Sequence, residues 1–305
     1  MAISIEERLN DLYRKLGAAM PPQVITQVAF DFDPGHLERL AALHPGERAN
    51  VWDLANYVDD LLYQDIQPSL LVHVLPFCLR AWHEYVRNER FECPGFAQSF
   101  CSVLEKREVF ACILTEYQTN ALLEFMSGSI LEEIDAQDRV RFEGYSAPPY
   151  RWIRALMTYG VIAPDIEHLW MDWWSISTVG RAIAAVQFIS CLVYRENENR
   201  VFAPKTREKG GGPPCLWEFD GCSNDSTWKI KNVEFLQRLL RDPNIVFSVV
   251  SRAVDRLSQH SGFQTAQQLL ADSQSQLANR NVWSAAVLQA KSEDDRIGLR
   301  ECIRP

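Results

Sequence analysis

Apolar residues recur in this chain at three- and four-residue spacing, in runs that proline, glycine or a capping side chain repeatedly closes. That period lays the apolar side chains along one stripe of a helix, and a stripe stays out of water only by packing against another element. Alternation of period two is nearly absent before residue 195, so the other elements are themselves helices. The pattern predicts a helix from Ser4 to Lys15, capped by Ser4 with Glu7 as its capping-box partner and stopped by Gly17. Further helices are predicted over Pro34–Leu43, Arg48–Tyr63, Phe96–Lys106 and Thr115–Met126, with Gly128 as a stop. Ile66–Asn88 reads as helix broken by Pro68 and Pro76. A second set runs Tyr150–Tyr159, Pro164–Trp174, Thr178–Tyr194, Val233–Arg241, Ile245–Gln259 and Thr265–Asn279.

The expected fold class is therefore all-α, a two-domain helical array with a small irregular or β insert near 200–230. Pro148-Pro149 ends a helix, and the charge balance changes there, which places the boundary at residues 144–149. The domains read as an acidic N-terminal helical domain over 1–145, a C-terminal helical domain over 146–290 with a Gly/Pro-rich insert at 196–230, and a charged tail over 291–305. No fixed-period repeat is present.

Charge is distributed unevenly. Residues 1–145 carry 12 basic and 23 acidic side chains, net −11, whereas residues 146–305 carry 19 and 17, net +2. A general nucleic-acid binder needs cationic surface to displace phosphate counterions, so nucleic acid is not an expected partner. An acidic half suits a basic protein, because complementary fields speed encounter and reject wrong partners. The eight cysteines, several within apolar runs, read as reduced small hydrophobes, and the first residues become charged and helical at once, so the expected location is the cytoplasm. The longest apolar run, Ala182 to Tyr194, has 13 residues, short of the roughly 20 that span a bilayer, and no membrane role is expected.

Catalytic signatures are absent: there is no G-x-S-x-G elbow, no phosphate-binding G-x-x-x-x-G-K-[ST] loop and no G-x-G-x-x-G. His83-Glu84 lacks the second histidine of H-E-x-x-H, and no E-x-K triplet occurs. His73, Cys78 and His83 are five apart, and at about 100° per residue they point three ways. Cys215 and Cys222 are too widely spaced for a zinc ribbon. The Lys205, Arg207, Lys209 and triple-glycine stretch reads as a surface loop. His168 and Asp172 can form an i, i+4 pair opposite the tryptophan face of their helix, but no oxyanion hole accompanies them. No catalytic residue, metal or cofactor is predicted.

The informative constellation lies on the predicted helix Arg48–Tyr63. Its apolar set is Val51, Leu54, Ala55, Val58, Leu61 and Leu62; Trp52, Asn56, Asp59, Asp60 and Tyr63 fall opposite, with Asp53 at the margin. Two large aromatics among carboxylates on a nominal solvent face are the residue types that carry binding energy once a partner excludes water. The competing expectation is that another helix covers Trp52 and Tyr63. A second acidic run, Glu132, Glu133, Asp135 and Asp138, is either a solvated face or an extension of the same partner surface.

The segments Leu70–Ala81, with its Leu-Pro pair, and Phe110–Met126, with Leu114-Thr115, Gln118, Ala121 and Phe125, resemble a small bacterial helical domain of unknown function that shows a Leu-Pro helix and then a Leu-Thr-x-x-Gln helix. The likeness covers about 70 of 305 residues and implies a fold. In physical terms Thr115 and Gln118 form a capping box. The whole chain is similar in character to immunity proteins of interbacterial toxin systems, which implies a non-catalytic module that binds one cognate, basic toxin domain. A structural subunit of a larger assembly and an enzyme of unrecognised type are the alternatives.

Overall fold

The computed structural model describes residues 5–17, 22–29, 35–87, 92–93, 95–106, 109–140, 148–193, 231–232, 235, 239 and 242–279. Within them the protein is all-α, with no strand among the described residues. Ser4, residues 141–147, which include the start of the expected boundary, and the stretches expected to form the insert at 196–230 and the tail over 291–305 lie outside the described residues. The chain divides into two compact units, Met1–Ser129 and Ile130–Pro305.

In the first unit α1 (Ile5–Leu16) follows directly from its sequence. Glu6 and Glu7 occupy its first turn, Arg14 and Lys15 its last, and Leu9, Leu12, Tyr13 and Leu16 make the buried stripe. Short α2 (Gly35–Ala41) leads to α3 (Val51–Tyr63), which Asn50 caps through its side chain to the Trp52 N–H at 2.9 Å. The next helix, α4 (Pro68–Arg87), is unbroken. Pro68 sits at its first turn, where no N–H is missed, so it opens the helix. Pro76 lies in the interior, at a cost of about 3 kcal/mol. Leu70, Leu75, Leu79 and Trp82 along the same helix are fully buried, and that burial offsets the lost hydrogen bond. The expected break at Pro76 does not occur.

Helix α5 (Phe96–Lys106) packs across α3 and is followed by a π-helical turn, Val109–Ile113. Then α6 runs Glu116–Asp135. The Thr115–Gln118 capping box is present: the Thr115 N–H donates to Gln118 Oε1 at 2.9 Å, and the Gln118 N–H donates to Thr115 Oγ1 at 3.3 Å. Gln118 Nε2 also donates to the Leu16 carbonyl at 2.8 Å, closing the end of α1. Gly128 does not stop α6. A Cβ there would lie 2.9 Å from Arg8 Nη2, so the glycine makes room for a guanidinium that crosses the helix. Buried Ile130 and Ile134 carry the helix on.

In the second unit Pro148 and Pro149 begin α7 (Pro148–Ile162) and do not end a helix. It is followed by α8 (Glu167–Trp174), α9 (Val179–Val193), α10 (Pro243–Arg256) and α11 (Phe263–Asn279). Helix α9 packs on α7, α8, α10 and α11, as its near-continuous apolar sequence requires. Trp170, Trp173 and Trp174 surround Phe188 of α9, with ring centroids 5.4 Å from Phe188 to both Trp170 and Trp173, and buried Trp152 packs on Trp173 at 5.7 Å. The predicted tryptophan face of α8 is core. Asp172, expected beside His168, instead pairs with Arg181 at 2.6 Å.

Candidate partner-binding site

Helix α3 presents one stripe to solvent. Trp52 is 53% exposed and Tyr63 71%, Asp59 is exposed, and Asn56 is half-buried between them. The spacing i, i+4, i+7, i+11 is a single line along the helix. The helix is covered on a broader arc than its apolar set alone implies, because Asp53, Tyr57 and Asp60 are buried with Leu54, Ala55, Val58 and Leu61.

Two of the expected acids therefore do not belong to the open surface. The Asp53 carboxylate receives Arg39 of α2 in a fork, Nε at 2.9 Å and Nη2 at 2.7 Å. Asp60, 3% exposed in its side chain, lies 3.0 Å from His36 Nε2. His36 and Arg39 are i, i+3 on α2, and Asp60 and Asp53 are i, i+7 on α3, so one short helix laid alongside masks both carboxylates. Helical periodicity fixes the angle of a side chain about its own axis; it says nothing of what approaches that side. The matching signal was His36 and Arg39 in Gly35–Ala41, which lie 24 and 14 residues N-terminal to the acids they meet.

The second acidic run is also largely spent on structure. Glu133 is buried, and its Oε1 and carbonyl both accept from Gln137 Nε2, at 3.1 and 2.9 Å. Asp135 accepts from Thr178 Oγ1 and from Arg181 Nε at 3.0 Å and Nη2 at 3.2 Å. The same guanidinium donates to the Asp172 carboxylate and carbonyl, at 2.6 and 2.7 Å. Burial disfavours the Arg181 charge, and the hydrogen bonds to Asp135 and Asp172 more than restore it, leaving the guanidinium pKa raised. Of the run, Asp138 is exposed and Glu132 half-buried. These four residues do not form one face.

Beside Trp52 lies a cleft of about 510 Å³ that the sequence did not reveal. Arg48, Asn50, Trp52, Arg80, Glu84 and Glu92 line its sides. Leu54, Phe77 and Ala81, all buried, form an apolar floor. Arg80 is held in a fork by Glu6, with both distances 2.7 Å, and the hydrogen bond from Arg80 keeps the Glu6 carboxyl below its ordinary range. The cleft thus joins the N-terminal end of the exposed α3 stripe to the α4 surface.

Elsewhere two buried histidines have structural partners. His73 Nε2 lies 3.2 Å from the Leu40 carbonyl. His83 Nδ1 lies 3.1 Å from Ser129 Oγ, which donates to the Phe125 carbonyl at 2.9 Å. Arg8 stands over the Phe125 ring at 4.9 Å and donates to the same carbonyl at 3.0 Å. Burial, reinforced by Arg87, Arg8 and Arg80, pushes the His83 pKa down to about 4. The Cys78 and Cys101 thiols are pushed up by burial. Among the described residues no group of three or more His, Cys, Asp or Glu could hold a metal ion, and no helix is long and apolar enough to cross a membrane.

Compared with known proteins, the chain matches no family model, no curated protein and no solved structure.

Proposed function

We propose that this protein is a non-catalytic protein-binding module whose α3 stripe, Trp52, Asn56, Asp59 and Tyr63, is the contact surface, and that it acts in the bacterial cytoplasm as an immunity protein that neutralises one basic toxin domain. The observation that carries this reading is the exposure of two large aromatics on one helix line next to a carboxylate, in the half of the chain with net charge −11. Tryptophan and tyrosine in water cost hydrophobic free energy that a partner recovers, and they concentrate at the energetic centres of interfaces. The acidic field supports a basic partner, and the likeness in character to immunity proteins supports the toxin class.

The experiment is capture with the full chain and with a Trp52→Ala, Tyr63→Ala variant, followed by reconstitution of the captured protein. One basic partner is expected, bound one to one by the parent chain, not retained by the variant, and losing its toxicity in the complex. Several host proteins retained equally by both chains would identify a scaffold subunit in place of an inhibitor.

A further inference from the structure

The cleft beside Trp52 has a chemistry of its own. Its floor, Leu54, Phe77 and Ala81, is apolar, and one wall is the half-exposed Trp52 indole. Of the charges around it, Arg80 is neutralised by Glu6 in a two-bonded fork and is only 9% exposed. Arg48, Glu84 and Glu92 remain, which leaves one net negative charge. The chain's own Arg48 already brings a guanidinium to the mouth, 4.0 Å from the Glu84 carboxylate, too far for a hydrogen bond and 77% exposed.

We propose that this cleft receives an arginine side chain of a partner protein, its guanidinium stacked on Trp52 and paired with Glu84 and Glu92. The assignment rests on the reading of α3 as the contact surface and names what that surface takes. Three features select arginine. The apolar floor accepts the methylene stem, the flat indole suits a planar, weakly hydrated cation, and two carboxylates offer acceptors to its fork of donors. Lysine matches the charge but not the plane. An anion is disfavoured although the cleft borders a helix N-terminus: Asn50 already takes the Trp52 N–H, and Asp53 occupies the first turn.

The test is titration of the full-length, nitrogen-15-labelled protein with the blocked tripeptide Gly-Arg-Gly, read on the Trp52 indole N–H resonance, assigned by its loss in Trp52→Phe, and on the Asn50 and Ala81 amides. A saturable shift is expected, at least about threefold tighter than with Gly-Lys-Gly. Glu84→Gln with Glu92→Gln, both at accessible positions, weakens it about fivefold. Absence of a saturable shift overturns the proposal, as does an equal shift with Gly-Glu-Gly or a shift with inorganic phosphate, which would make the cleft an anion site. The two readings fail separately. If the peptide leaves Trp52 unmoved while Trp52→Ala, Tyr63→Ala still loses the captured partner, the arginine site falls and the α3 surface stands. If the peptide binds and Asp59→Lys, Tyr63→Ala keeps full partner affinity, the α3 stripe falls and the arginine site stands.

Discussion

At the scale of the residue, two positions show how close packing turns an ordinary residue into a stability determinant. His83 titrates near 4 in the fold, below its ordinary value of about 6.5, so the folded chain holds the ring neutral. Between those values the unfolded chain binds the proton and the folded one does not. His83 therefore leaves stability unchanged above about pH 6.5 and destabilises the fold progressively as pH falls toward 4, by on the order of 3 kcal/mol in all. Denaturant midpoints measured from pH 7 to pH 4 should fall, and His83→Gln, which keeps a donor for Ser129, should flatten that stretch of the curve. Gly180 is the second. A Cβ there would overlap the Asp135 backbone carbonyl, which cannot rotate away as a side-chain end can. Gly180→Ala should cost about 3 kcal/mol or more, read as a lowered melting temperature with helix content retained below it.

At the scale of the element, Arg181 fastens the end of α6 to the end of α8 and the start of α9 through Asp135 and Asp172. Its own side chain is 11% exposed, while the partners are more accessible. Arg181→Met should therefore cost about 2–3 kcal/mol, below the full loss of a deeply buried pair. Arg181→Lys should recover little of it, because an ammonium cannot bond both carboxylates in the same fork geometry. Equilibrium unfolding of the two variants distinguishes a geometric clamp from a simple charge effect; equal stability of the lysine variant and the parent would refute the clamp. Trp52 behaves differently. Half of its ring is already in water, so Trp52→Ala should cost stability about 2 kcal/mol at most, roughly half the loss expected for a buried tryptophan such as Trp82.

At the scale of the whole molecule, the net charge of −9 and its concentration in residues 1–145 bear on association with a basic partner. Asp59→Lys should slow association and flatten its salt dependence, since an exposed carboxylate steers encounter across roughly one Debye length of about 8 Å. Trp52→Ala should act on dissociation, costing about 2 kcal/mol or more of binding. Binding kinetics at two ionic strengths, with melting temperatures of the same variants, separate the effects. If Trp52→Ala dissociates at the parent rate, or if Asp59→Lys associates at the parent rate at low salt, the α3 stripe is not the contact surface. Asp60→Asn belongs outside this series, because Asp60 faces His36 in the interior.

Most of the helices, the α6 capping box, the tryptophan face of α8 and the outward stripe of Trp52, Asn56, Asp59 and Tyr63 were legible in the sequence. Each depends on neighbours within one or two turns, and the chain's own period encodes that range. Only the tertiary structure decided the rest. Asp53 and Asp60 turned inward because α2 brings Arg39 and His36 alongside, and Asp135 became a clamp because Arg181 reaches it across 46 residues. Gly128 lies inside α6, where it makes room for Arg8, because buried Ile130 and Ile134 carry the helix past it, and the cleft exists because α3 and α4 leave space beside Trp52. A helix sequence specifies the direction in which a side chain leaves its axis, but whether that side chain meets water, a counter-charge or a packed wall depends on residues far away in the chain.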